Sequence, residues 1–318
     1  MNGKRHAVVI VNLGGPFNLG EVKPFLKKLF QDPDIFHFPF GKIGQRFFSS
    51  MVATLRAPVS KKYYAAIGGT SPLHANTVAQ ATKLQKFLQA QGVDFTVFTA
   101  QRYWHPSIAE AVAQIMKDMF STVTLIPLFP QYSTTTTQSV INEWNRHAVE
   151  LPKAFIIKRF YREDGFIRAC EQQIKRKLKD FNTPPHILFS AHSIPVKRVL
   201  DGDSYESEIT ECMELIIDRL GREYSYSLCY QSKVGPVKWL SPSIRQAIDD
   251  LISQDIRRVL VVPLSFVSEH VETLYELDIV IRNYALKNGI VQFERVSTVQ
   301  DHDEFIGALK RLVLEVVS

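Results

Sequence analysis

Ionisable side chains crowd together directly after one apolar run in the last quarter of the sequence. The run VLVVPL ends at Leu264, and residues 265–278 then read SFVSEHVETLYELD. This short segment holds one imidazole and four carboxylates, from His270, Glu269, Glu272, Glu276 and Asp278. One charged residue at a strand end is commonly a helix cap, whereas five indicate a site that handles a metal ion, protons, or both.

Two interpretations of this segment stay open on its residues alone. A helix that begins near Ser268 would use it as N-cap, and Glu269 and Glu272 would suit the positive helix end. A helix cap does not explain why Glu272 is followed by Glu276, because carboxylates four residues apart on one exposed face repel each other. A row of carboxylates that leads protons or a cation inward explains both. With one histidine, the cation would be a weakly held divalent metal rather than a structural zinc.

A second histidine follows another apolar run, in FSAHSIP (189–195). A lone histidine there is often structural, but a neutral imidazole also ligates metals and accepts protons near pH 7. Because the carboxyl ends of parallel strands meet at one edge of a sheet, we expect His192 and Glu272 to face the same crevice.

The composition is that of a folded protein with a sizeable core. The chain has 318 residues, of which 45% are hydrophobic and 22% charged. Its formal net charge is +6, and its isoelectric point is about 9.1. This balance allows contact with an anionic membrane surface or an acidic ligand, but it does not by itself indicate nucleic acid.

The cysteines and the apolar runs indicate a soluble cytoplasmic protein. Cys170, Cys212 and Cys229 form no CxxC pair and cannot supply a four-cysteine cluster. We therefore expect reduced thiols that fill the core. The first apolar run is too short for a secretory signal, and no run approaches the roughly 20 residues of a transmembrane helix.

Short apolar runs alternate with segments of helical spacing along the whole chain. The predicted strands are 6–13, 94–100, 123–129, 153–160, 186–191, 226–230, 258–266 and 291–297. The helical segments are 78–92 (with Gly92 as a stop signal), 107–119, 165–178, 205–221 and 243–254. This alternation predicts an α/β fold with parallel sheets covered by helices on both faces.

The order of strands and the loops that follow them repeats along the chain, which predicts two similar Rossmann-like halves. Each half has three strands that run into a distinctive loop. We expect one rigid body with an N-terminal half of about 1–150, a C-terminal half of about 155–318, and an active-site cleft between them. The glycine-rich NLGGP (12–16) is a weak phosphate-loop signal, since no GxGxxG or Lys-Ser/Thr follows, and we reject a nucleotide site.

Residues 35–56 are rich in large apolar side chains, and two interpretations remain open. The side chains are Phe36, Phe38, Phe40, Phe47, Phe48, Met51, Val52 and Leu55, and the last five fit a helical stripe. They either belong to the core or form an exposed surface that receives a flat apolar ligand and dips into a membrane face. In the second case Lys42, Arg46 and Arg56 would meet the lipid headgroups.

Six motifs together resemble the ferrochelatase family nearly from end to end. They are VNLGGP, QRYWHP, PQYSTTTTQS, SAHSIP, CYQSKVGPVKWLSPS and SFVSEHVETLYELD. The resemblance implies the two-halved chelatase fold. It also implies insertion of Fe²⁺ into protoporphyrin IX with release of two protons, the terminal step of haem biosynthesis. Iron and porphyrin are then substrates, and no resident cofactor is expected.

The resemblance also assigns individual residues. His192 corresponds to the family's active-site histidine and Glu272 to its acidic partner, and both would handle metal and protons. The adjoining acidic path comprises His270, Glu276 and Asp278. In the N-terminal half, a lip (residues 35–72) would bind porphyrin. The residues placed near the porphyrin are Leu13, Arg56, Tyr64, Ser71, Arg102 and Tyr103.

Some expectations rest on where this chain differs from other members. Ser193 stands where many members have glycine, and GDSY (202–205) where many have GDPY, which would loosen that loop. The C-terminal cysteines of cluster-containing members are missing, so we expect no iron–sulfur cluster. Peripheral contact with the inner face of the membrane, and a monomer or homodimer, are expected. Coproporphyrin as substrate and a non-catalytic tetrapyrrole carrier remain the alternatives.

Overall fold

The computed structural model describes residues 5–36, 41–90, 94–233 and 235–317. Its residues fall into two compact units: one runs up to Arg159 and takes in the segment from Ile306, and the other is Phe160–Phe305. Phe38, Phe40 and Gly92, which entered the sequence predictions, lie outside the described residues. Within the described part, no helix is long and apolar enough to cross a membrane.

The first unit is built on a four-stranded parallel sheet. Its strands are β1 (His6–Asn12), β2 (Phe95–Gln101), β3 (Thr122–Pro127) and β4 (Phe155–Ile156), in the order β2-β1-β3-β4. All residues of β1 are buried, because it is a central strand with helices on both faces of the sheet.

The helices of this unit are α1 (Val22–Phe30), α2 (Gly41–Ala66), α3 (Leu73–Gln89), α4 (Ile108–Ile115) and α5 (Thr137–His147). Ser107 caps α4, and Glu110 completes a capping box with it, which explains the predicted start at residue 107. Helices α1 and α5 were not predicted.

The second unit repeats the same strand order. Its strands are β5 (His186–His192), β6 (Tyr226–Gln231), β7 (Arg258–Pro263) and β8 (Gln292–Arg295), again all parallel, in the order β6-β5-β7-β8. The two predicted sheets of similar winding are therefore confirmed. In both, the chain moves first to one side of the first strand and then to the other, so the first and third strands flank a topological switch point.

The second unit carries one helix of unusual geometry. Its helices are α6 (Asp164–Leu178), α7 (Val196–Leu200), α8 (Tyr205–Leu220), α9 (Ile244–Ser253), a π-helix (Glu272–Ile281), α10 (Arg282–Lys287) and the start of α11 (Asp303–Val317). Cys212 and Cys229 are buried, as expected of core thiols, and Cys170 is half-buried.

Candidate active site

Three neighbouring strands of the second sheet end at the residues of the candidate site. Strand β5 ends at His192, β6 is followed by Ser232, and β7 leads through residues 264–271 into the π-helix at Glu272. Strand β5 pairs with both β6 and β7. The switch point lies between the carboxyl ends of β5 and β7. Ligands of open parallel sheets bind at such points.

His192 and Glu272 form a hydrogen-bonded ion pair. The imidazole Nδ1 lies 2.8 Å from Glu272 Oε2, and the two side chains are 37% and 23% exposed. The His192 backbone is fixed on both sides, since its N–H donates to Ser265 Oγ at 3.0 Å and its carbonyl accepts from the Tyr205 hydroxyl at 2.9 Å. Among the described residues, no side chain or backbone group bonds Nε2, so this nitrogen is available to a ligand.

Each member of the pair changes the pKa of the other. Burial lowers the pKa of His192, but the charge of Glu272 and the hydrogen bond to it outweigh burial and raise that pKa above 6.5. Burial raises the pKa of Glu272, but the imidazolium of His192 and its hydrogen bond lower it to about 2. The arrangement therefore stabilises the protonated imidazole beside an ionised carboxylate.

Glu276 joins this pair through Ser232. The Ser232 hydroxyl lies 3.0 Å from Glu272 Oε2 and closer still to Glu276 Oε2, and the Ser232 backbone N–H donates to Glu276 Oε1 at 3.0 Å. Burial and the charge of Glu272 raise the pKa of Glu276, against the opposing hydrogen bonds from Ser232. Ser232 was missed by the sequence reasoning, although it lies in CYQSKVGP, directly after a strand that neighbours β5.

Ser268 does not cap the helix of the acidic segment, although Glu272 does lie in the first turn of that helix, as the helix-cap interpretation expected. The helix begins at Glu272 as a π-helix, its N-cap position is Val271, and no side chain caps it. Glu272 and Glu276 therefore lie one turn apart and both reach Ser232, as the interpretation of a carboxylate row requires.

His270 is buried next to the pair. Its Nε2 lies 3.9 Å from Glu272 Oε1, and its ring centroid lies 4.3 Å from that of Phe266. Burial lowers the pKa of His270 despite the nearby carboxylates. A neutral imidazole thus lies behind Glu272.

Asp278 bonds a different set of residues, and its assignment to the acidic path stays a prediction. Arg295 donates to both carboxylate oxygens of Asp278 at 2.7 Å and to Glu269 Oε1 at 3.0 Å. Glu269 also accepts from the Thr273 hydroxyl at 2.6 Å and from the Thr298 backbone N–H at 2.8 Å. This cluster, in which Arg295 and Glu269 are buried and Asp278 is half-buried, joins the π-helix to β8.

Among the described residues, no group of three or more His, Cys, Asp or Glu side chains is arranged to hold a metal ion. His192 and Glu272 therefore offer two potential ligands, fewer than the four of a closed structural metal site.

Leu13, Tyr64 and Ser71 lie around the NLGGP loop of the first unit. A Cβ at Gly15 would overlap the Ser71 side chain and come within 3.9 Å of the Tyr64 hydroxyl. Gly14 has φ +94° and packs against Gln101 and Trp104, while the carbonyl of Leu13 accepts from the Tyr103 backbone N–H at 3.0 Å. The glycines are thus needed for close backbone packing.

Arg102 and Tyr103 lie in a buried polar cluster, and their assignment to porphyrin contact stays a prediction. Asp32 Oδ2 accepts from Arg102 Nη2 at 2.9 Å, from the Tyr103 hydroxyl at 2.5 Å and from the Ser139 hydroxyl at 2.5 Å. Tyr103 is only 2% exposed. Both residues also line an open depression of about 250 Å³, but charged residues bound it (Lys28, Glu143 and Arg146) rather than the apolar faces that a porphyrin ring needs.

Helix α2 exposes an apolar stripe, so the interpretation of these residues as core is wrong for the outer positions. The exposed side chains recur every fourth residue: Ile43, Phe47, Met51, Leu55 and Val59. Phe48 and Val52 are half-buried. The helix has five basic residues and no Asp or Glu. Arg56 is exposed and makes no hydrogen bond or ion pair with any described residue.

Comparisons with known proteins show the family to which the chain belongs. The family profile described as Ferrochelatase matches residues 5–317. A ferrochelatase from Aquifex aeolicus (strain VF5) is 42% identical over 313 residues, covering 97% of this chain and 98% of that protein. One from Gloeobacter violaceus (strain ATCC 29082 / PCC 7421) is 41% identical over 316 residues, covering 97% and 96%.

Solved structures share the fold at low identity. SirB from Bacillus subtilis with Fe³⁺ has a TM-score of 0.57 at 12% identity, covering 99% of this chain and 96% of that one. DR2241 from Deinococcus radiodurans, a multi-domain protein with structural similarity to chelatases, has a TM-score of 0.52 at 12% identity, covering 98% and 54%. From the family match and the similarity over nearly the whole chain, we conclude that the protein belongs to the ferrochelatase family, metal chelatases of the lyase class that insert a metal ion into a porphyrin for haem synthesis.

Proposed function

We propose that the protein inserts Fe²⁺ into protoporphyrin IX and releases two protons to form protohaem. The single observation that carries the proposal is the His192–Glu272 pair at the switch point of the second sheet. One imidazole nitrogen of this pair is held by a carboxylate, and the other is free of described partners.

The proton chemistry follows from this orientation. A free porphyrin carries two pyrrole N–H protons, and both must leave as Fe²⁺ enters. We assign Nε2 of neutral His192 as the acceptor of both pyrrole protons in turn, with the first passed to water before the second is accepted. The imidazolium that forms keeps its Nδ1–H bond to the ionised Glu272, which stabilises it. The pair in this way lowers the cost of proton removal.

The metal side of the reaction uses the same carboxylate. Glu272 Oε1 accepts no hydrogen bond from a described residue, and Glu276 lies one π-helical turn away. Carboxylate oxygens and an imidazole nitrogen suit a divalent iron that must be released again. We assign Glu272 and Glu276 to the delivery of Fe²⁺, with neutral His270 behind them.

The apolar stripe of α2 supports protoporphyrin as the porphyrin. Protoporphyrin has two propionates and coproporphyrin four, so coproporphyrin presents more charge to its surroundings. The stripe offers apolar side chains, and Arg56, which bonds no described residue, offers a guanidinium that can bind a propionate. Burying two further carboxylates against apolar side chains without matching basic groups is costly.

The same helix supports a peripheral position on a cytoplasmic membrane face. Its stripe is exposed, and its charged residues are all basic. A helix of this kind lies in the headgroup region of anionic bilayers. A flat, poorly soluble porphyrin would be exchanged most readily there.

The test is turnover of the two porphyrins by the purified protein under anaerobic conditions. We expect kcat/KM with Fe²⁺ to be higher for protoporphyrin IX than for coproporphyrin III, measured as haem formed. Arg56→Ala should raise KM for porphyrin more than KM for iron. Equal or faster turnover of coproporphyrin would overturn the proposed substrate, and binding of either porphyrin without any turnover would indicate a carrier.

A further inference from the structure

The first unit holds a row of three ionisable side chains that the proposed reaction does not use. Lys28 Nζ, near the end of α1, lies 3.4 Å from His105 Nε2, and His105 Nδ1 lies 2.9 Å from Glu110 Oε2 in the first turn of α4. Lys28 makes no ion pair with a carboxylate of any described residue. An amine, an imidazole and a carboxylate in this order form the arrangement in which a base activates a nucleophile and a third group orients the base.

The contacts of Glu110 determine which nitrogen of His105 carries the hydrogen. The Ser107 backbone N–H, which donates at 2.5 Å, and the bond from His105 lower the pKa of Glu110 from 4.5 to about 2. An ionised carboxylate only accepts hydrogen bonds, so Nδ1 of His105 carries the hydrogen. In the neutral ring, Nε2 is then the acceptor, and it faces the Lys28 amine. His105 can therefore take a proton from Lys28.

Lys28 also lines the depression of about 250 Å³ beside Arg102 and Tyr103. Arg146 lines the same depression, and its side chain is 50% exposed. Among the described residues, only Nη1 of this guanidinium contacts a carboxylate, that of Glu143 at 2.6 Å. Guanidinium groups bind phosphate through paired, charge-assisted hydrogen bonds. A small reagent with a phosphate group would thus be held in the depression that the Lys28 amine also lines.

We infer that Lys28 is a modification site, which a small acyl phosphate bound in this depression acylates. The amine nitrogen attacks the acyl carbon and forms an N–C bond, and the C–O bond to the phosphate breaks with its electron pair leaving on the phosphate. The proton that the nitrogen loses passes to His105 Nε2 and from there to water. The products are an acyl-lysine and inorganic phosphate. The modification replaces the ammonium group, which lies 5.0 Å from the centroid of the Trp104 ring, by an uncharged amide.

The neighbouring Lys27 provides a matched internal control. It lies on the same helix and is exposed, and its side chain bonds no described residue. The purified full-length protein is incubated with acetyl phosphate at neutral pH. The remaining amines are then capped under denaturing conditions with deuterated acetic anhydride, and fragmentation mass spectrometry gives the fraction acetylated at each lysine.

We expect the initial rate of acetylation to be at least about tenfold higher at Lys28 than at Lys27. This is below the roughly hundredfold or more that a base contributes in enclosed enzyme sites, because the depression is open to water. Rates at the two lysines that agree within about twofold would overturn the inference.

Three variants separate the base from the group that binds phosphate, and melting temperatures verify that each is folded. His105→Phe keeps an aromatic ring without nitrogens, so the rate at Lys28 should fall to that at Lys27 with acetyl phosphate and with the uncharged ester p-nitrophenyl acetate. Glu110→Gln no longer fixes the hydrogen on Nδ1 and should lower the same rate several-fold. Arg146→Met should lower the rate at Lys28 with acetyl phosphate alone.

Two outcomes of the variant series would contradict the inference. An unchanged rate at Lys28 in both His105→Phe and Glu110→Gln would exclude the imidazole as base. An Arg146→Met protein in which acetyl phosphate and p-nitrophenyl acetate react with Lys28 at the wild-type rates would exclude an acyl phosphate as the reagent that the depression selects.

Discussion

Replacing Glu272 by Gln should remove a pH-dependent part of the stability of the second unit. Gln keeps the shape of the protonated glutamic acid and cannot ionise. In the wild type, the neighbouring imidazolium lowers the pKa of Glu272 from 4.5 to about 2 against the effect of burial. A difference of this size corresponds to about 3 kcal/mol in favour of the ionised side chain in the folded protein.

Glu272 and His192 make the stability depend on pH in opposite directions. The pKa of Glu272 is lower in the folded state, so its contribution is present above about pH 4.5 and is lost as pH falls toward 2. The pKa of His192 is raised above 6.5, so its contribution is present below that pH and is lost as pH rises through the folded value. The free energy of unfolding of the wild type should therefore exceed that of Glu272→Gln by the largest amount between pH 4.5 and 6.5.

The assay is urea unfolding of both proteins at a series of pH values. Between about pH 3 and about pH 5.5, the difference in free energy of unfolding between wild type and Glu272→Gln should grow by about 2 kcal/mol. Glu150→Gln is the control, because Glu150 is exposed and bonds no described residue. A difference that stays flat across this range would refute the reasoning. NMR of His192 adds a direct check, since its pKa should fall in Glu272→Gln.

Three further predictions concern other parts of the molecule. His192→Ala should fold and bind porphyrin but lose at least about a hundredfold in kcat, and near-wild-type turnover would exclude the proposed base. Arg295→Met should cost about 3–5 kcal/mol in urea unfolding because Glu269 and Asp278 lose their buried cation, whereas Arg257→Met, which breaks an exposed pair, should cost less than about 1 kcal/mol. Phe47→Ser should weaken flotation with anionic liposomes at unchanged melting temperature, since Phe47 is 64% exposed; a large fall in melting temperature instead would show that this side chain packs in the core.

The sequence alone was sufficient to predict the strands of both sheets and the proximity of His192 to Glu272. Runs of β-branched apolar residues predict buried parallel strands, because a strand covered on both faces needs apolar side chains at every position. Each of the eight predicted runs contains or overlaps one of the eight strands found in the described residues. Polar residues at the ends of such strands can only be tolerated at the sheet edge, and this is why His192 and Glu272 could be paired before their distance was known.

The sequence also indicates on which face of the helix Asp278 lies. Asp278 follows Glu276 by only two residues, and residues two apart on a helix do not face each other. Its partner could not have been predicted, because Arg295 lies on β8, and only the pairing of β8 with β7 brings that strand beside the π-helix.

Other roles were decided by tertiary structure alone. Arg102 and Tyr103 follow a strand just as His192 does, yet Asp32, which lies 70 residues earlier, binds both side chains inside the first unit. Ser232 was part of a recognised motif, but its contact with two carboxylates depends on a left-handed backbone conformation and on the π-helical turn opposite it. Periodicity and strand ends determine which residues reach one edge of a sheet, because they follow from local backbone geometry. Which of these residues act on a ligand and which bond each other depends on contacts between segments distant in sequence, and those form only when the units fold.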